Sequence, residues 1–578
     1  MSSQATPTGD PESKPASLGW LFGPTQSAGM RRTLILLLFP SLVLVGTLRY
    51  DFVFDDTLVI LEDPMVIGTS SLRGVFNQQV QVTDVVLGYY RPITILLYRL
   101  DWILWGENPA GYRLTNLLWH LLATFLVYRV AVRTTGRIMA AWAAAMIFAL
   151  LPAHTESIGW IQGRVDIVAT VLGLFAHLSW LRAKERRGSP AWYWGGLSGT
   201  AFLAALLVKE VAAALPLAWG VWEVSAIAGL TPSHRRALVR SLVPGACAIL
   251  LAALTYAVLR SLVVGALVTF PISLSPPGLR ALALLVMLAE YGRTLLLPDP
   301  TLVFYRPLFV APSLSAVTVS LSTLLALSGG LIVAWRRARP LFPWIAWIPI
   351  TLAPPLLFAL YAPAPERGFY TAERFLYLPS VGWCLLLGFV VASAYESARS
   401  LATSRSVGIA LAGLLVGYVG LTLIRLQPWA DPIDFYTAMR AQPGLPREMQ
   451  VFVHNDLGRI YLERGEFPAA RAEFLGALVL KPDYALAHNN LGVMFIREGK
   501  PGEARRWLEA AIRLDPTHSD TYGNLGAAYE AAGDLVAARR AFEAGLRVAP
   551  GSAWLAQGLA RVNAEIVHPP ASQPGTSR

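Results

Sequence analysis

Residues 485–518 read ALAHNNLGVMFIREGKPGEARRWLEAAIRLDPTH, and they decide the fold of the C-terminal part because their pattern recurs 34 residues earlier and 34 residues later. Six positions of the pattern hold the same kind of residue in all three copies. They are Gly458, Gly492 and Gly526; Leu457, Leu491 and Leu525; Tyr461, Phe495 and Tyr529; Ala470, Ala504 and Ala538; Phe474, Leu508 and Phe542; Pro482, Pro516 and Pro550. A fixed period of this length indicates a stacked array of helical units.

The period and the residue types are those of the tetratricopeptide repeat (TPR), in which each unit is a pair of antiparallel helices. The small residues let the two helices approach closely, the aromatic residues fill the space between them, and the proline ends the second helix. The repeats occupy 449–482, 483–516 and 517–550, and three repeats are about the minimum for a stable array. Residues 551–578 are predicted to form a capping helix followed by a disordered tail.

Polar residues on the first helix of each repeat mark a candidate groove, and these are Asn455, Asn489, Asn490 and Asn524. An asparagine amide offers both donors and an acceptor, so such residues can bracket the backbone of an extended peptide. The sequence therefore predicts that the array binds a protein or peptide. The alternative is that these residues are solvated polar positions.

The composition indicates a membrane protein, because 54% of the 578 residues are hydrophobic and only 15% are charged. A soluble globular chain carries closer to a quarter charged residues. The formal charge of +11 is spread over arginines in short connections between apolar runs, which is typical of topology signals and not of a nucleic-acid-binding surface. Cys247 and Cys384 form neither a disulfide framework nor a metal site.

Eleven apolar runs come close to the roughly 20 residues that a spanning helix needs. The runs are Arg32–Leu48, Thr115–Val132, Ile138–Leu151, Val165–Leu181, Trp192–Val208, Val211–Leu230, Ala237–Val263, Ser313–Trp335, Phe342–Tyr361, Phe375–Ala394 and Val407–Ile424. The first run lacks a small-residue cleavage signal, so it is expected to be an anchor. The absence of a secretory or mitochondrial signal favours a bacterial inner membrane.

The number of spans depends on a twelfth run, Leu279–Leu297, which carries Glu290 and Arg293. If this run is an interfacial helix, all the basic connections lie on the cytoplasmic side, as the positive-inside rule requires. The N-terminus is then cytoplasmic and everything after Ile424 is extracytoplasmic. If the run crosses, there are twelve spans and the C-terminal domain is cytoplasmic. We favour eleven.

These assignments divide the chain into five parts. A disordered cytoplasmic N-terminus (1–31) precedes the transmembrane domain (32–425), whose large first extracytoplasmic loop covers about 49–114. A linker (426–448) then leads into the three repeats and the C-terminal segment.

The first loop begins RYDFVFDDTLVILEDP (49–64), with Asp55 and Asp56 close to the membrane exit. Adjacent carboxylates repel each other, and an apolar setting raises the pKa of one of them. A general base that deprotonates an acceptor hydroxyl needs such a position. The alternative is a hydrated turn.

Farther along the first loop, the segment GYYRPITILLYRLDWILWG (88–106) has the aromatic and arginine content of a helix that lies in the membrane interface.

Charged residues from four separate segments are predicted to meet on the extracytoplasmic face. They are Arg91, His154, Glu156, Arg164, Lys209, Glu373 and Arg374. Ionisable groups at membrane depth are costly and often functional, although each could belong to a structural ion pair. A carboxylate base combined with arginine and lysine donors suits a substrate that carries a phosphate.

The strings FVFDD (52–56), YYRPITILLYRLDW (89–102), LPAHTESIGWIQGRVD (151–166), LLVKE (206–210) and AERFLYLPSVG (372–382), followed by TPRs, resemble the transmembrane and TPR-containing O-mannosyltransferases. These are integral-membrane glycosyltransferases of the GT-C class. The resemblance covers the chain from about Arg49 to Pro550.

The resemblance implies an all-α fold: a polytopic GT-C-like helical bundle of about 11 spans followed by a TPR α-solenoid. It implies a polyprenyl-phosphate sugar donor, inverting transfer to a hydroxyl, and TPRs on the same side of the membrane. Asp55 and Asp56 match the acidic pair of the family, so one of them would be the base. Arg91, His154, Glu156, Arg164, Lys209, Glu373 and Arg374 match motif positions that hold the donor phosphate or order the loop.

Several points stay open at the level of sequence. Mannose is the sugar by analogy only, and an array of three repeats leaves the acceptor undefined. No metal motif is present, although paired carboxylates could bind a divalent ion. The main alternative is a membrane-anchored TPR scaffold without catalytic activity, which would tolerate replacement of Asp55 and Asp56. A transporter would place ionisable residues deep within the spans, whereas here they gather at the boundaries.

Overall fold

The structure is a computed structural model that describes residues 26–77, 80–82, 85–228, 230–265, 277–301, 304–308, 314–361 and 369–568. Most of the predicted N-terminal and C-terminal disordered segments lie outside these ranges. The described residues are almost entirely helical, with four short strands. The predicted all-α class is therefore confirmed.

In the described residues, seventeen α-helices precede the repeats. They are α1 (Gln26–Leu44), α2 (Pro64–Ile67), α3 (Leu72–Asn77), α4 (Pro92–Trp105), α5 (Pro109–Thr135), α6 (Ile138–Leu150), α7 (Thr155–Gly159), α8 (Arg164–Lys184), α9 (Ser189–Val208), α10 (Leu215–Ile227), α11 (Pro232–Val264), α12 (Pro277–Leu296), α13 (Leu314–Arg337), α14 (Phe342–Tyr361), α15 (Ser380–Glu396), α16 (Leu401–Leu426) and α17 (Pro432–Arg440).

Within the described residues, eight helices are long and apolar enough to cross a membrane. The bent pair formed by α6 and Pro152–Gly159 would be a ninth span, and Thr33–Arg49 and Ser380–Glu396 are shorter apolar helices. Each of the eleven predicted runs overlaps one of these segments. The chain is an integral membrane protein.

The ambiguous run forms α12, which is not among the eight span-like helices of the described chain. Its Glu290 and Arg293 pair with each other, with Arg293 Nη2 2.6 Å from Glu290 Oε1. The number of spans stays a prediction.

Small residues allow the spans to pack closely, as is usual for membrane helices. Gly195 and Gly199 of α9 face α11, and a methyl group at Gly199 would lie only 2.7 Å from the carbonyl oxygen of Ala248. The two helices can approach to this distance only because Gly195 and Gly199 have no side chain.

Two short antiparallel ribbons lie outside the spans. Strands β1 (Val80–Val82) and β2 (Val85–Tyr89) form the first, and β3 (Tyr305–Leu308) and β4 (Phe369–Ala372) form the second. Because β4 leads directly into Glu373 and Arg374, the second ribbon joins the segment after α12 to a segment that carries predicted site residues.

The predicted repeats form an α-solenoid of three helix pairs with one further helix. Its helices are α18 (Arg447–Glu463), α19 (Phe467–Leu480), α20 (Ala485–Arg497), α21 (Pro501–Leu514), α22 (Ser519–Ala531), α23 (Leu535–Val548) and α24 (Ala553–Val567). The same contact recurs in each pair, because a methyl group at Gly458, Gly492 or Gly526 would clash with Phe474, Leu508 or Phe542 respectively. The 34-residue period therefore reflects helix packing.

The first repeat is not separate from the membrane region. One apolar core joins Val53 of the first loop, Trp160 after α7, Phe304, Phe435 of α17 and Leu457 of α18. The segment predicted as a linker thus contains a packed helix, and that helix attaches the solenoid to the loop that bears the acidic pair.

Candidate functional site

The acidic pair lies in a tight turn at the start of the first loop, and its two members differ in their surroundings. Asp56 is fully buried, and its two carboxylate oxygens accept hydrogen bonds from the backbone N–H groups of Val53 (3.1 Å) and Gln162 (3.3 Å). Asp55 is half-buried, and its Oδ1 accepts a hydrogen bond of 3.1 Å from Trp160 Nε1. Only Asp55 therefore keeps access for a substrate.

The electrostatics of the turn favour proton exchange near neutral pH. Burial, reinforced by the neighbouring Asp56, raises the pKa of Asp55 to about 7, while Arg374 opposes the shift. Burial also raises the pKa of Asp56 to about 6, against the attraction of Arg113. The sequence led us to expect one raised pKa, and the structure raises both.

Arg113 of α5 holds this turn in place, and the sequence analysis did not single it out. Its Nε donates to the carbonyl of Tyr50 (3.0 Å), its Nη1 to that of Gly159 (2.7 Å), and its Nη2 to that of Asp51. A single guanidinium thus ties the start of the loop to the end of α7. The available signal was an arginine near the start of an apolar helix, where a charge needs a partner.

Arg374 lies beside the acidic pair. Its side chain pairs with Glu156, and its backbone N–H donates to Glu156 Oε2 at 2.9 Å. The guanidinium stands 5.2 Å from the centre of the Trp160 ring and 5.1 Å from that of Phe375. Trp160 therefore touches the carboxylate of Asp55 through its N–H group and the cation of Arg374 through its ring face.

Lys209 extends the positive charge on the other side of Phe375. Its Nζ lies 5.1 Å from the centre of the Phe375 ring and 2.5 Å from Asp166 Oδ1. Burial lowers the pKa of Lys209 to about 8, and the nearby charges of Arg91 and Arg374 act in the same direction, against Asp166. Each of these three cations is paired with a carboxylate: Arg91 with Glu210, Lys209 with Asp166 and Arg374 with Glu156.

Arg91 completes the group of cations. Its guanidinium forms a two-pronged pair with Glu210, with Nη2 at 2.8 Å and Nε at 3.1 Å from Oε2. Arg260 Nη1 lies 3.6 Å from the other oxygen of Glu210. Asp166, Glu210 and Arg260 were not among the predicted site residues, and their adjacency depends on how α8, α11 and the turn between α9 and α10 pack.

The other predicted residues are held by protein partners away from this group. Arg164 pairs with Asp101, and its Nε donates to Asn116 Oδ1 at 2.5 Å. Glu373 pairs with the buried Arg425.

His154 is buried with its Nε2 2.8 Å from Ser380 Oγ and its ring 4.4 Å from that of Tyr377. This geometry supports the loop-ordering alternative for His154, Arg164 and Glu373.

The groove asparagines bond to one another across the repeats. Asn490 Nδ2 donates to Asn455 Oδ1 and Asn524 Nδ2 donates to Asn489 Oδ1, each at 2.9 Å. Asn455 and Asn489 are buried, whereas Asn490 and Asn524 are half-buried. Asn455 and Asn489 therefore hold the half-buried pair, Asn490 and Asn524, which is the more accessible of the two pairs.

In the part of the chain that the structure describes, no group of three or more His, Cys, Asp or Glu side chains is arranged to hold a metal ion.

Comparison with known proteins places the chain among related sequences. Family models for the tetratricopeptide repeat match residues 455–519 and 495–562. Protein O-mannosyl-transferase Tmtc1 of Drosophila melanogaster is 35% identical over 197 residues, which cover 33% of this chain and 22% of that protein. Protein O-mannosyl-transferase TMTC3 of Mus musculus is 24% identical over 469 residues, which cover 75% of this chain and 49% of that protein.

Among solved structures, ArnT from Cupriavidus metallidurans bound to undecaprenyl phosphate is 16% identical with a TM-score of 0.38, and the match covers 86% of this chain and 81% of that one. The chain spans less than half the length of the two curated relatives. These relatives confirm the resemblance to the TPR-containing O-mannosyltransferases that the motifs indicated.

Proposed function

We propose that this protein is a GT-C-type glycosyltransferase that moves a sugar from a polyprenyl-phosphate donor to a hydroxyl acceptor on the extracytoplasmic face. One observation carries the proposal: Trp160 joins a half-buried carboxylate, Asp55, to a partly accessible guanidinium, Arg374. Sugar transfer from a phosphate donor needs a base and a phosphate-binding cation, and Trp160 contacts a candidate for each. Mannose is the proposed sugar, by analogy with the named relatives.

Asp55 is the proposed base. It takes the proton of the acceptor hydroxyl while the hydroxyl oxygen attacks the anomeric carbon of the donor. The bond between that carbon and the phosphate oxygen breaks, and the oxygen leaves with the bonding electrons. A single displacement of this kind inverts the anomeric centre. Asp56 is excluded because it is fully buried and both its oxygens accept backbone N–H groups.

Arg374, Lys209 and Arg91 are proposed to receive the leaving phosphate. Preorganised cations at the point where negative charge develops lower the barrier, and they act most strongly where water is excluded. The side chains of Arg91 and Arg374 are 19% and 11% exposed, whereas the side chain of the structural Arg164 is 2% exposed. Arg91 and Arg374 can therefore exchange part of their protein contacts for a ligand, whereas Lys209, with a side chain that is 8% exposed, is proposed to contribute its charge while paired with Asp166.

The solenoid is proposed to bind the acceptor or a partner protein. Asn490 and Asn524 present half-buried amides at equivalent positions, and each is held by an asparagine of the preceding repeat. With the N-terminus in the cytoplasm, the solenoid and the acidic pair lie on the same side of the membrane. We propose a bacterial inner membrane as the location.

The test is transfer of labelled sugar from a panel of polyprenyl-phosphate donors in membranes that contain the wild-type protein, Asp55→Asn or Asp56→Asn. We expect transfer by the wild type and its loss in Asp55→Asn at unchanged expression. Asp51→Asn is the matched control, because Asp51 is an exposed carboxylate of the same loop. Transfer that survives Asp55→Asn would refute the mechanism. Absence of transfer with every donor, together with phenotypes that follow the groove asparagines alone, would favour the scaffold.

A further inference from the structure

The residue immediately before Asp55 has an unusual backbone. Phe54 has a φ of +62°, and no other non-glycine residue in the described part of the chain has a positive φ. A bulky side chain rarely adopts this left-handed region, and such conformations persist only where the surrounding structure imposes them. The surroundings of Phe54 must therefore hold it there.

The ring of Phe54 is surrounded by aromatic residues from three other parts of the chain. Its centre lies 4.6 Å from that of Phe304, 5.9 Å from that of Trp160, 5.8 Å from that of Phe435 in α17 and 6.2 Å from that of Phe452 in α18. These distances lie within the range of favourable aromatic pairs. The contacts offset the backbone strain.

A hydrogen bond between α17 and the first repeat also stabilises the aromatic surroundings of Phe54. Tyr436 OH donates to Asp456 Oδ2 at 2.8 Å, and the Tyr436 ring lies 6.4 Å from that of Phe54. The aromatic site for Phe54 is thus built by the solenoid and its linker helix as well as by the membrane region.

Trp160 connects this aromatic site to the proposed base. Its ring contacts Phe54 and Phe304, while its indole N–H donates to Asp55. Displacement of the Phe54 ring would release the left-handed turn and move the Asp55 carboxylate relative to Trp160 and Arg374.

We propose that Phe54 is a positioning residue: its ring, seated against Phe435 and Phe452, keeps the turn in the conformation that directs Asp55 at Trp160. The inference deepens the proposed function and rests on it for the role of Asp55. It makes the first repeat part of the catalytic architecture and not only a binding module. The first repeat therefore contributes to kcat as well as to acceptor affinity.

The kinetic test compares Phe54→Ala, Phe54→Gly and Phe54→Tyr in the full-length protein. Glycine accepts a positive φ without strain but has no ring, so it separates the backbone preference from the aromatic anchor. We expect Phe54→Ala and Phe54→Gly to lower kcat by about 10²-fold, the cost of misplacing a catalytic group by about 1 Å, with KM for the lipid-linked donor little changed. Phe54→Tyr retains the ring and restores kcat.

Phe452→Ala leaves Phe54 unchanged and removes one of the rings that its side chain contacts. This variant tests the proposal even if the Phe54 variants fail to fold. The matched control is Phe495→Ala, a half-buried phenylalanine on the first helix of the second repeat. We expect Phe452→Ala to lower kcat and Phe495→Ala to leave it unchanged. Equal losses in the two variants, or a kcat that is unchanged in Phe54→Ala, would overturn the proposal.

A second readout needs no transfer activity. A hydrophobic carbodiimide modifies protonated carboxyls, so the pH dependence of Asp55 labelling, followed by mass spectrometry, reports its environment. The charged and titratable groups that face Asp55 are Asp56, Arg374, Tyr98 and Tyr436.

We expect the labelling midpoint to lie near 7 in the wild type and to fall in Phe54→Ala and Phe452→Ala as water enters. Identical midpoints in all variants would overturn the inference. If the variants show these midpoint shifts but the wild type transfers no sugar, the proposed function is refuted and the positioning role of Phe54 is not.

Discussion

At the scale of single residues, two adjacent aspartates have separate tasks because their hydrogen bonds differ. Asp56 accepts two backbone N–H groups and closes the turn, whereas Asp55 accepts one indole N–H and keeps partial exposure. A buried carboxylate with a raised pKa destabilises the folded chain at neutral pH, which is a common cost of a catalytic position. The two substitutions should therefore affect different properties.

We predict that Asp55→Asn lowers kcat by about 10²- to 10⁴-fold, as expected for loss of a general base, and leaves the thermal midpoint unchanged or higher. Asp56→Asn should instead lower the free energy of unfolding by about 1–3 kcal/mol, because the amide cannot accept both backbone N–H groups. Transfer assays and thermal denaturation of the purified variants separate the two effects. A large stability loss in Asp55→Asn with a normal kcat would reverse the assignment.

The sequence predicted Asp55, Asp56 and Arg374 as site residues because each is a charged residue close to the end of an apolar run. It did not identify Arg113 or Asp101, each of which has a polar partner on another element. Arg113 and Gly159 are 46 residues apart, and Asp101 and Arg164 are 63 apart (164 − 101), so these partners are brought together by helix packing, which one sequence does not specify. The sequence did not predict Trp160 for the same reason, because its role comes from the two groups that it contacts.

At the scale of elements, the β4 strand and the turn after it place Arg374 over Trp160. We predict that Arg374→Gln lowers kcat/KM for the lipid-linked donor by about 10- to 100-fold, because a charged hydrogen bond contributes about 1.5–3 kcal/mol. Arg374→Lys, which keeps the charge and loses the fork, should be intermediate. Arg440→Gln is the control, since Arg440 forms a similar pair with Glu473 outside the site. Equal kcat/KM values for Arg374→Gln and wild type would contradict the phosphate assignment.

Helix α4 is fixed to α8 by the buried pair of Asp101 and Arg164. We predict that Asp101→Asn destabilises the protein by about 3–5 kcal/mol, because it leaves an uncompensated buried charge. The double variant Asp101→Leu with Arg164→Met should recover part of the loss, since it leaves no buried charge. Thermal denaturation in detergent measures both. A double variant that is less stable than Asp101→Asn would show that the pair itself is required.

The elements were the most predictable part of the molecule. Apolar runs and a 34-residue period determine helices directly, and all eleven predicted runs have helical counterparts. The helix α17 was not predicted, because its nine residues lie in a segment that reads as a linker by composition. Its Phe435 and Tyr436 become buried only through contact with the first loop and α18.

At the scale of the whole molecule, the site and the solenoid must lie on one side of the membrane, because one apolar core contains residues of both. We predict that Glu503→Cys, introduced after replacement of Cys247 and Cys384, reacts with an impermeant maleimide in intact cells. Ser397→Cys, between α15 and α16, should react only after permeabilisation. The opposite pattern would place the solenoid in the cytoplasm and contradict the predicted eleven-span topology.

The central claim is that Asp55 acts as a carboxylate base, and the pH dependence of kcat tests it most directly. The base works only when deprotonated, and burial raises the pKa of Asp55 to about 7. We therefore predict that wild-type kcat for sugar transfer falls about tenfold per pH unit below a midpoint near 7. The residual activity of Asp55→Asn should lack this dependence. A wild-type kcat that is constant from pH 5 to 8, or the same midpoint in Asp55→Asn, would contradict the claim.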